Sequence, residues 1–216
     1  MTERFPLEET PAAKAADSRG LYLYGVQRAR SWRGRRVSET AEGLLRVRYR
    51  DLEAIVRATP FQMPPLDAGA VAEHQRVIEG EMRRGTILPA PYGIIFHGRR
   101  PLLRMLQDQY LMLDEALGFI DDQCEVRLHV SSVEAHDRQN ATDVALQIYS
   151  ELRRHARAAV PFPREDGTVL SAAFLVDKGA WVDFIQRAED LGSHHIEISI
   201  DITGPWPPYD FVRFVA

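Results

Sequence analysis

The sequence predicts an α+β protein built from two small domains, on three observations. Ile196, Ile198, Ile200 and Ile202 alternate with Glu197, Ser199, Asp201 and Thr203, the pattern of a sheet with one apolar face. Leu102, Leu106, Tyr110, Leu113 and Leu117 recur every three or four residues, the pattern of a helix that buries one stripe. The chain has 216 residues, 45% of them hydrophobic, enough for two cores of ordinary size.

The first half is read as follows. Residues 1–20 lack apolar periodicity and are expected to be a disordered tail. Leu21-Tyr-Leu-Tyr-Gly-Val26 is a short apolar strand. Residues 27–43 are a loop containing Arg28, Arg30, Arg33, Arg35 and Arg36. In the next strand Leu45, Val47 and Tyr49 face one way and Arg46, Arg48 and Arg50 the other. That arginine face needs water or acidic partners, because unpaired buried charge is very costly. A short helical turn is expected over Asp51–Val56, before the break at Pro60–Pro65. A helix starts at the N-cap Asp67, carries Val71, Ile78 and Met82 with His74 beside them, and ends at Gly85. Thr86–Phe96 is extended, and Pro89 and Pro91 suit an edge or a bend.

The longest expected helix runs from Pro101 to Ile120, about 30 Å. Beside its main stripe it has a second one, Met105, Met112 and Phe119, spaced seven apart. Core packing absorbs both stripes on the simplest reading; otherwise the second is a candidate partner contact.

The second half reads β-α-β-α-β. Its strands centre on Val126–Val130, Thr168–Val176 and Ile196–Thr203, and its helices cover Thr142–Ala159 and Lys178–Leu191. Pro161 and Pro163 stop the first helix and Gly192 ends the second. Such an order places helices on one face of a sheet, with the ferredoxin-like unit as its template. The expected organisation is therefore a tail (1–20), an N-terminal α+β sandwich (21–123), a C-terminal ferredoxin-like domain (124–203) and a Pro/aromatic tail (204–216).

Composition excludes several functions. A net charge of -4 gives no basic excess for nucleic acid. No apolar run reaches the ~18 residues of a membrane span, and the N-terminus lacks the apolar core of a signal peptide. Cys124 is the only cysteine, which rules out an intrachain disulfide or a cysteine zinc site and fits a reducing cytoplasm. It is expected to be a buried, inert thiol. No nucleotide-binding or nucleophile-elbow motif occurs. His194 and His195 are adjacent on a strand and point apart. No catalytic, cofactor or metal site is therefore expected, and the chain is not read as an enzyme.

The C-terminal segment Gly204-Pro-Trp-Pro-Pro-Tyr-Asp-Phe-Val212 is stiff, because Pro205, Pro207 and Pro208 fix φ and remove three donors. It is not expected to extend the sheet as a central strand. It presents Trp206, Tyr209 and Phe211, either as a seal over the domain or as a docking surface. This segment resembles the C-terminal motif of the gas vesicle protein L/F family. In the same order, Leu21–Val26, Tyr49–Val56, His74–Glu79, Thr86–Pro89, Gly93–Phe96 and Ala173–Asp177 resemble other family blocks. The chain departs from the family pattern at Pro91 and His129, where arginine and lysine are common, and between Ser132 and Leu170, which is short. The resemblance implies a two-domain α+β protein of the cytoplasm and the gas vesicle. It implies an assembly or minor structural role without catalysis. The implied partners are the hydrophobic main shell protein and other accessory proteins, with neither nucleic acid nor membrane. Met105, Met112, Phe119, Trp206 and Tyr209 are the candidate contact residues. The second half taken alone leaves a different reading, a ferredoxin-like regulatory or ligand-binding module.

Overall fold

The structure, a computed structural model, describes residues 20–29, 37–39, 43–134, 138–163 and 167–212. The expected N-terminal tail (1–19) and Arg30, Arg33, Arg35 and Arg36 lie outside them. The chain forms two compact units, one of residues up to 83 with 89–117, the other of 84–88 with 118–213.

In the first unit, β1 (Gly20–Arg28), β2 (Val37–Glu39), β3 (Leu45–Tyr49) and β4 (Leu52–Thr59) form a sheet. The order is β2-β3-β4-β1, and β6 (Ile95–Phe96) also pairs with β1. β5 (Ile87–Pro89) stands beyond β1 in that sheet, at the boundary of the two units. β1 is buried from Gly20 to Gln27, so its continuous apolar run follows from cover on both faces. Its register against β4 shifts between Leu23 and Gly25, a bulge at Tyr24.

Leu52–Thr59 is a strand, not the expected helical turn over Asp51–Val56. Leu52, Glu53 and Ala54 favour helix locally. Two ladders outweigh them, because β4 pairs with β1 on one side and β3 on the other, and β-branched Ile55 and Val56 fit that pleated interior. The arginine face of β3 meets acid as required. Arg46 donates to Glu53 at 2.9 Å and to Glu81 at 2.6 Å, and Arg48 reaches Glu53 at 3.4 Å. Gln27 is the third donor to Glu53, at 2.9 Å.

α1 (Ala68–Met82) begins where Asp67 accepts the Ala70 N–H at 2.9 Å. It buries His74, Ile78 and Glu81, one helical face, and ends three residues before Gly85. The single helix expected over 101–120 is two helices, α2 (Arg99–Asp108) and α3 (Tyr110–Phe119), separated at Gln109. The break is slight. Gln109 leaves helical dihedrals, at φ -103 and ψ 13, yet its N–H still reaches the Met105 carbonyl.

The second unit contains β7 (Gln123–Ser132), α4 (Arg138–Arg153), β8 (Ala158–Pro161), β9 (Thr168–Asp177), α5 (Trp181–Ser193) and β10 (Ile198–Trp206). Its sheet has the order β10-β7-β9-β8, antiparallel throughout. The β-α-β-α-β expectation lacked β8. α4 stops at Arg153, and Ala158–Pro161, whose first two residues were expected to end that helix, pairs with β9 instead. β8 is an edge strand, where Pro161 is tolerated. Val126, Leu128, Ile148, Leu152, Phe174 and Phe184 belong to the core between helices and sheet.

Two expectations about the last strand also change. Ile196 is 92% exposed and lies before β10, which starts at Ile198. The strand continues past Thr203 to Trp206, through a register shift and the cis Gly204–Pro205 bond. β10 is the other edge of the sheet, a position where Pro205 is tolerated.

Candidate partner-contact surface

Met105 is 7% exposed and belongs to the core of the first unit. The stripe Met105–Met112–Phe119 is therefore not one accessible face. A seven-residue spacing returns nearly to the same side of a helix, but α2 is buried on that side, along Leu102, Met105 and Leu106. Met112 in the first unit is 38% exposed, with Leu111 beside it at 73%. Phe119 in the second unit is half-exposed and lies under the Arg157 guanidinium, 5.5 Å from the ring centre, a cation–π contact.

Trp206 and Tyr209 are half-buried, within an anchored segment. Trp206 pairs with Glu125 at the end of β10 and donates its indole N–H to the Thr203 hydroxyl at 3.1 Å. Pro207 and Pro208 are buried, and Tyr209–Phe211 make one 3₁₀ turn. The turn places Asp210 against β7. Arg127 donates to Asp210 through Nη2 at 2.8 Å and Nε at 3.1 Å, and through Nε to Glu125 at 2.7 Å. The Asp210 N–H donates to the other Glu125 oxygen at 2.9 Å. Glu125 is 0% exposed. Burial first, then the neighbouring Asp210 carboxylate, pushes its carboxyl up to about 8, against the pull of the Asp210 N–H and of Arg127. This latch makes the tail a seal in the folded unit. Sequence reasoning missed it, although Glu125 and Arg127 share one face of a strand and only Asp210 comes from afar.

The most exposed apolar surface of the first unit lies where the sequence reading marked only a break. In Phe61-Gln-Met-Pro-Pro-Leu66, Phe61 is 58%, Met63 80% and Leu66 85% exposed. Phe61, Met63, Gly93 and Ile95 line a shallow cavity of about 330 Å³. Pro60, Pro64 and Pro65 stiffen this loop, and adjacent large apolar groups in water mark interaction sites.

The titratable groups are accounted for structurally. Tyr22 donates to His74 Nδ1 at 2.8 Å, and His74 Nε2–H donates to the Ala90 carbonyl at 3.0 Å. Both ring nitrogens are satisfied in the neutral form, and burial lowers the His74 pKa. Cys124 is fully buried, which pushes its thiol up to about 11, the state of an inert thiol. His194 meets the Asp190 carbonyl and His195 meets Glu197, so the adjacent pair does not converge. Among the described residues no three His, Cys, Asp or Glu side chains form a metal-binding group, and no helix is long and apolar enough to cross a membrane.

The family model described as gas vesicle synthesis protein GvpL/GvpF matches residues 20–143 and 131–213. The chain is 23% identical over 181 residues to Gas vesicle protein F1 of Halobacterium salinarum, covering 80% of this chain and 82% of that one. It is 30% identical over 98 residues to Gas vesicle protein L of a Streptomyces species, covering 42% and 36%. The crystal structure of the gas vesicle protein GvpF from an Anabaena species superposes with a TM-score of 0.77 at 18% identity, over 92% of this chain and 98% of that one. The α+β fold is thus shared with a solved gas vesicle protein, and the family pattern runs through both units: the chain belongs to the gas vesicle synthesis protein GvpL/GvpF family.

Proposed function

We propose that the chain is a non-enzymatic assembly or minor structural protein, acting in the cytoplasm and at the gas vesicle. It binds the hydrophobic main shell protein and other accessory proteins while the vesicle forms. The observation that carries this reading is the family match from residue 20 to residue 213. The exposed loop Phe61–Leu66 supplies a surface suited to it, since an apolar shell subunit needs apolar cover before it is incorporated. Methionine at position 63 adds an adaptable contact. We take the second unit to be a ferredoxin-like domain, supported by its β-α-β-β-α-β order and antiparallel sheet. Within this reading residues 21–123 and 124–203 are the two domains, with Met112, Phe119, Trp206 and Tyr209 as secondary contact candidates.

Co-expression of the tagged chain with the main shell protein and the accessory proteins tests the proposal. Co-purification with the shell protein is expected. It should fall when Phe61, Met63 and Leu66 are all changed to serine, while the melting curve stays unchanged because all three are exposed. No association with any gas vesicle protein would overturn the reading.

A further inference from the structure

Between the end of β3 and α2, inside the first unit, lies a cavity of about 600 Å³. Arg48, Tyr49 and Arg50 form one wall and Arg99, Arg100 and Arg104 the other. Five guanidinium groups thus share one concavity, and among the described residues no acidic side chain lines it. Glu53 pairs with Arg48 from outside the cavity and is shared with Arg46. Arg99, Arg100 and Arg104 form no ion pair among the described residues, and the buried Arg99 Nε has no hydrogen-bond partner there.

Local energetics oppose this arrangement. Arg99 and Arg100 occupy the first turn of α2, the positive end of the helix dipole, where cations are disfavoured. The N-cap, Gly98, has no side chain to offer the first-turn N–H groups. Arg50 sits at φ 54, in the left-handed region that an arginine occupies at an energetic cost. Its guanidinium is held 4.9 Å above the Tyr110 ring and 5.6 Å above Tyr49. Concentrated like charge and a helix start without a side-chain cap are both offset by one event, the entry of an anion.

We propose that this cavity binds an acidic peptide segment of a partner protein through forked arginine–carboxylate contacts. Every cation lining it is arginine, whose planar fork pairs bidentately with carboxylates. Its volume is that of a site for several groups rather than one small anion. Tyr49 and Leu103 offer apolar wall for the methylenes of Asp and Glu side chains. A long polyanion such as nucleic acid fits less well, because the chain carries a net charge of -4 with these arginines included and would repel it outside the cavity. This inference rests on the reading that the chain works through protein contacts, and it adds the chemistry of one such partner.

The test uses the full chain and fluorescein-labelled hexaglutamate, followed by fluorescence anisotropy at low ionic strength. Saturable binding is expected, weakening at high salt. Arg100→Gln/Arg104→Gln, at two exposed positions, should weaken it by tenfold or more without moving the melting temperature. Arg100→Lys/Arg104→Lys should bind at intermediate strength, since charge is kept and the fork lost. Absence of binding at millimolar peptide overturns the proposal, as does equal binding by the glutamine variant. Tighter binding of hexathymidylate, or displacement of the peptide by an equal concentration of inorganic phosphate, overturns the peptide assignment in favour of those anions. A wild-type chain that binds hexaglutamate yet associates with no gas vesicle protein would overturn the assembly reading alone. Association without peptide binding would overturn only the cavity assignment.

Discussion

Glutamine in place of Glu125 is expected to gain stability relative to the wild type as pH rises from 5 to 8. In the folded chain Glu125 is fully buried, and burial together with Asp210 holds its carboxyl at about 8, against an ordinary value of 4.5. The unfolded chain releases this proton near the ordinary value. Between the two values the folded state therefore holds more protons than the unfolded one, and stability falls as pH rises. The contribution is complete below 4.5 and is lost as pH rises through about 8. From pH 5 to pH 8 the loss is about 3 kcal/mol, at about 1.4 kcal/mol per tenfold change in proton affinity. Glutamine has the shape of the protonated acid and does not ionise, so this contribution becomes independent of pH; its NH2 cannot accept the N–H of Arg127 or Asp210 that it faces, a loss of about 1–3 kcal/mol that is the same at every pH. Urea unfolding of both proteins at pH 5, 6.5 and 8, followed by circular dichroism, measures it. His74 has the opposite sign: burial lowers its pKa, so it removes stability as pH falls below about 6.5. It is present in both proteins and cancels in their difference. That difference should rise by about 3 kcal/mol from pH 5 to pH 8, or about 6–12 °C in melting temperature for a chain of this size. Parallel pH profiles would refute the protonated latch.

Other substitutions separate core from surface. Met105→Ala should cost about 2–5 kcal/mol, while Met112→Ala stays within about 0.5 kcal/mol, read as shifts in urea midpoint; equal effects would contradict the burial assigned to α2. Tyr22→Phe strands His74 Nδ1 in a buried site and should cost about 1–3 kcal/mol by the same assay. Glu53→Ala leaves Arg46, Arg48 and Gln27 short of their shared acceptor and should cost about 3 kcal/mol or more; a neutral result would show that water replaces the carboxylate. Asp210→Asn removes half of a partly exposed pair and should cost only about 1–2 kcal/mol, with a faster digestion of the C-terminal segment by protease.

Some features were legible because they are local. Alternation identified β3 and β7, and helical spacing identified α1 and α5, since period follows directly from backbone geometry; β9 was read from its continuous apolar run. The need of Arg46 and Arg48 for acidic partners was readable from their place on one strand face. The partners were not, because Glu53 and Glu81 reach them only through strand pairing and helix docking. β4 and β8 were misread for the opposite reason. Leu52-Glu-Ala and Ala158-Ala carry helix-favouring residues, and their state depends on which strands lie beside them. The loop Phe61–Leu66 was seen only as a break, since exposure is a property of the packed chain. The arginine cavity joins residues about fifty positions apart, and Arg99, Arg100 and Arg104 stood out in no sequence pattern.

By itself the sequence determined the α+β class, the helix and strand signals with short-range periods, the ordinary chemistry of its cysteine and histidines, and the family resemblance carried by Trp206-Pro-Pro-Tyr209. Tertiary structure alone decided what that last motif does within the fold. Asp210 meets Arg127 and Glu125 only when the 3₁₀ turn lies against β7, so a stiff, aromatic segment that reads either as a seal or as a docking surface is held as a seal. The physical reason is range: periods and propensities act over a few residues, whereas burial, charge pairing and exposure are set by neighbours distant in sequence.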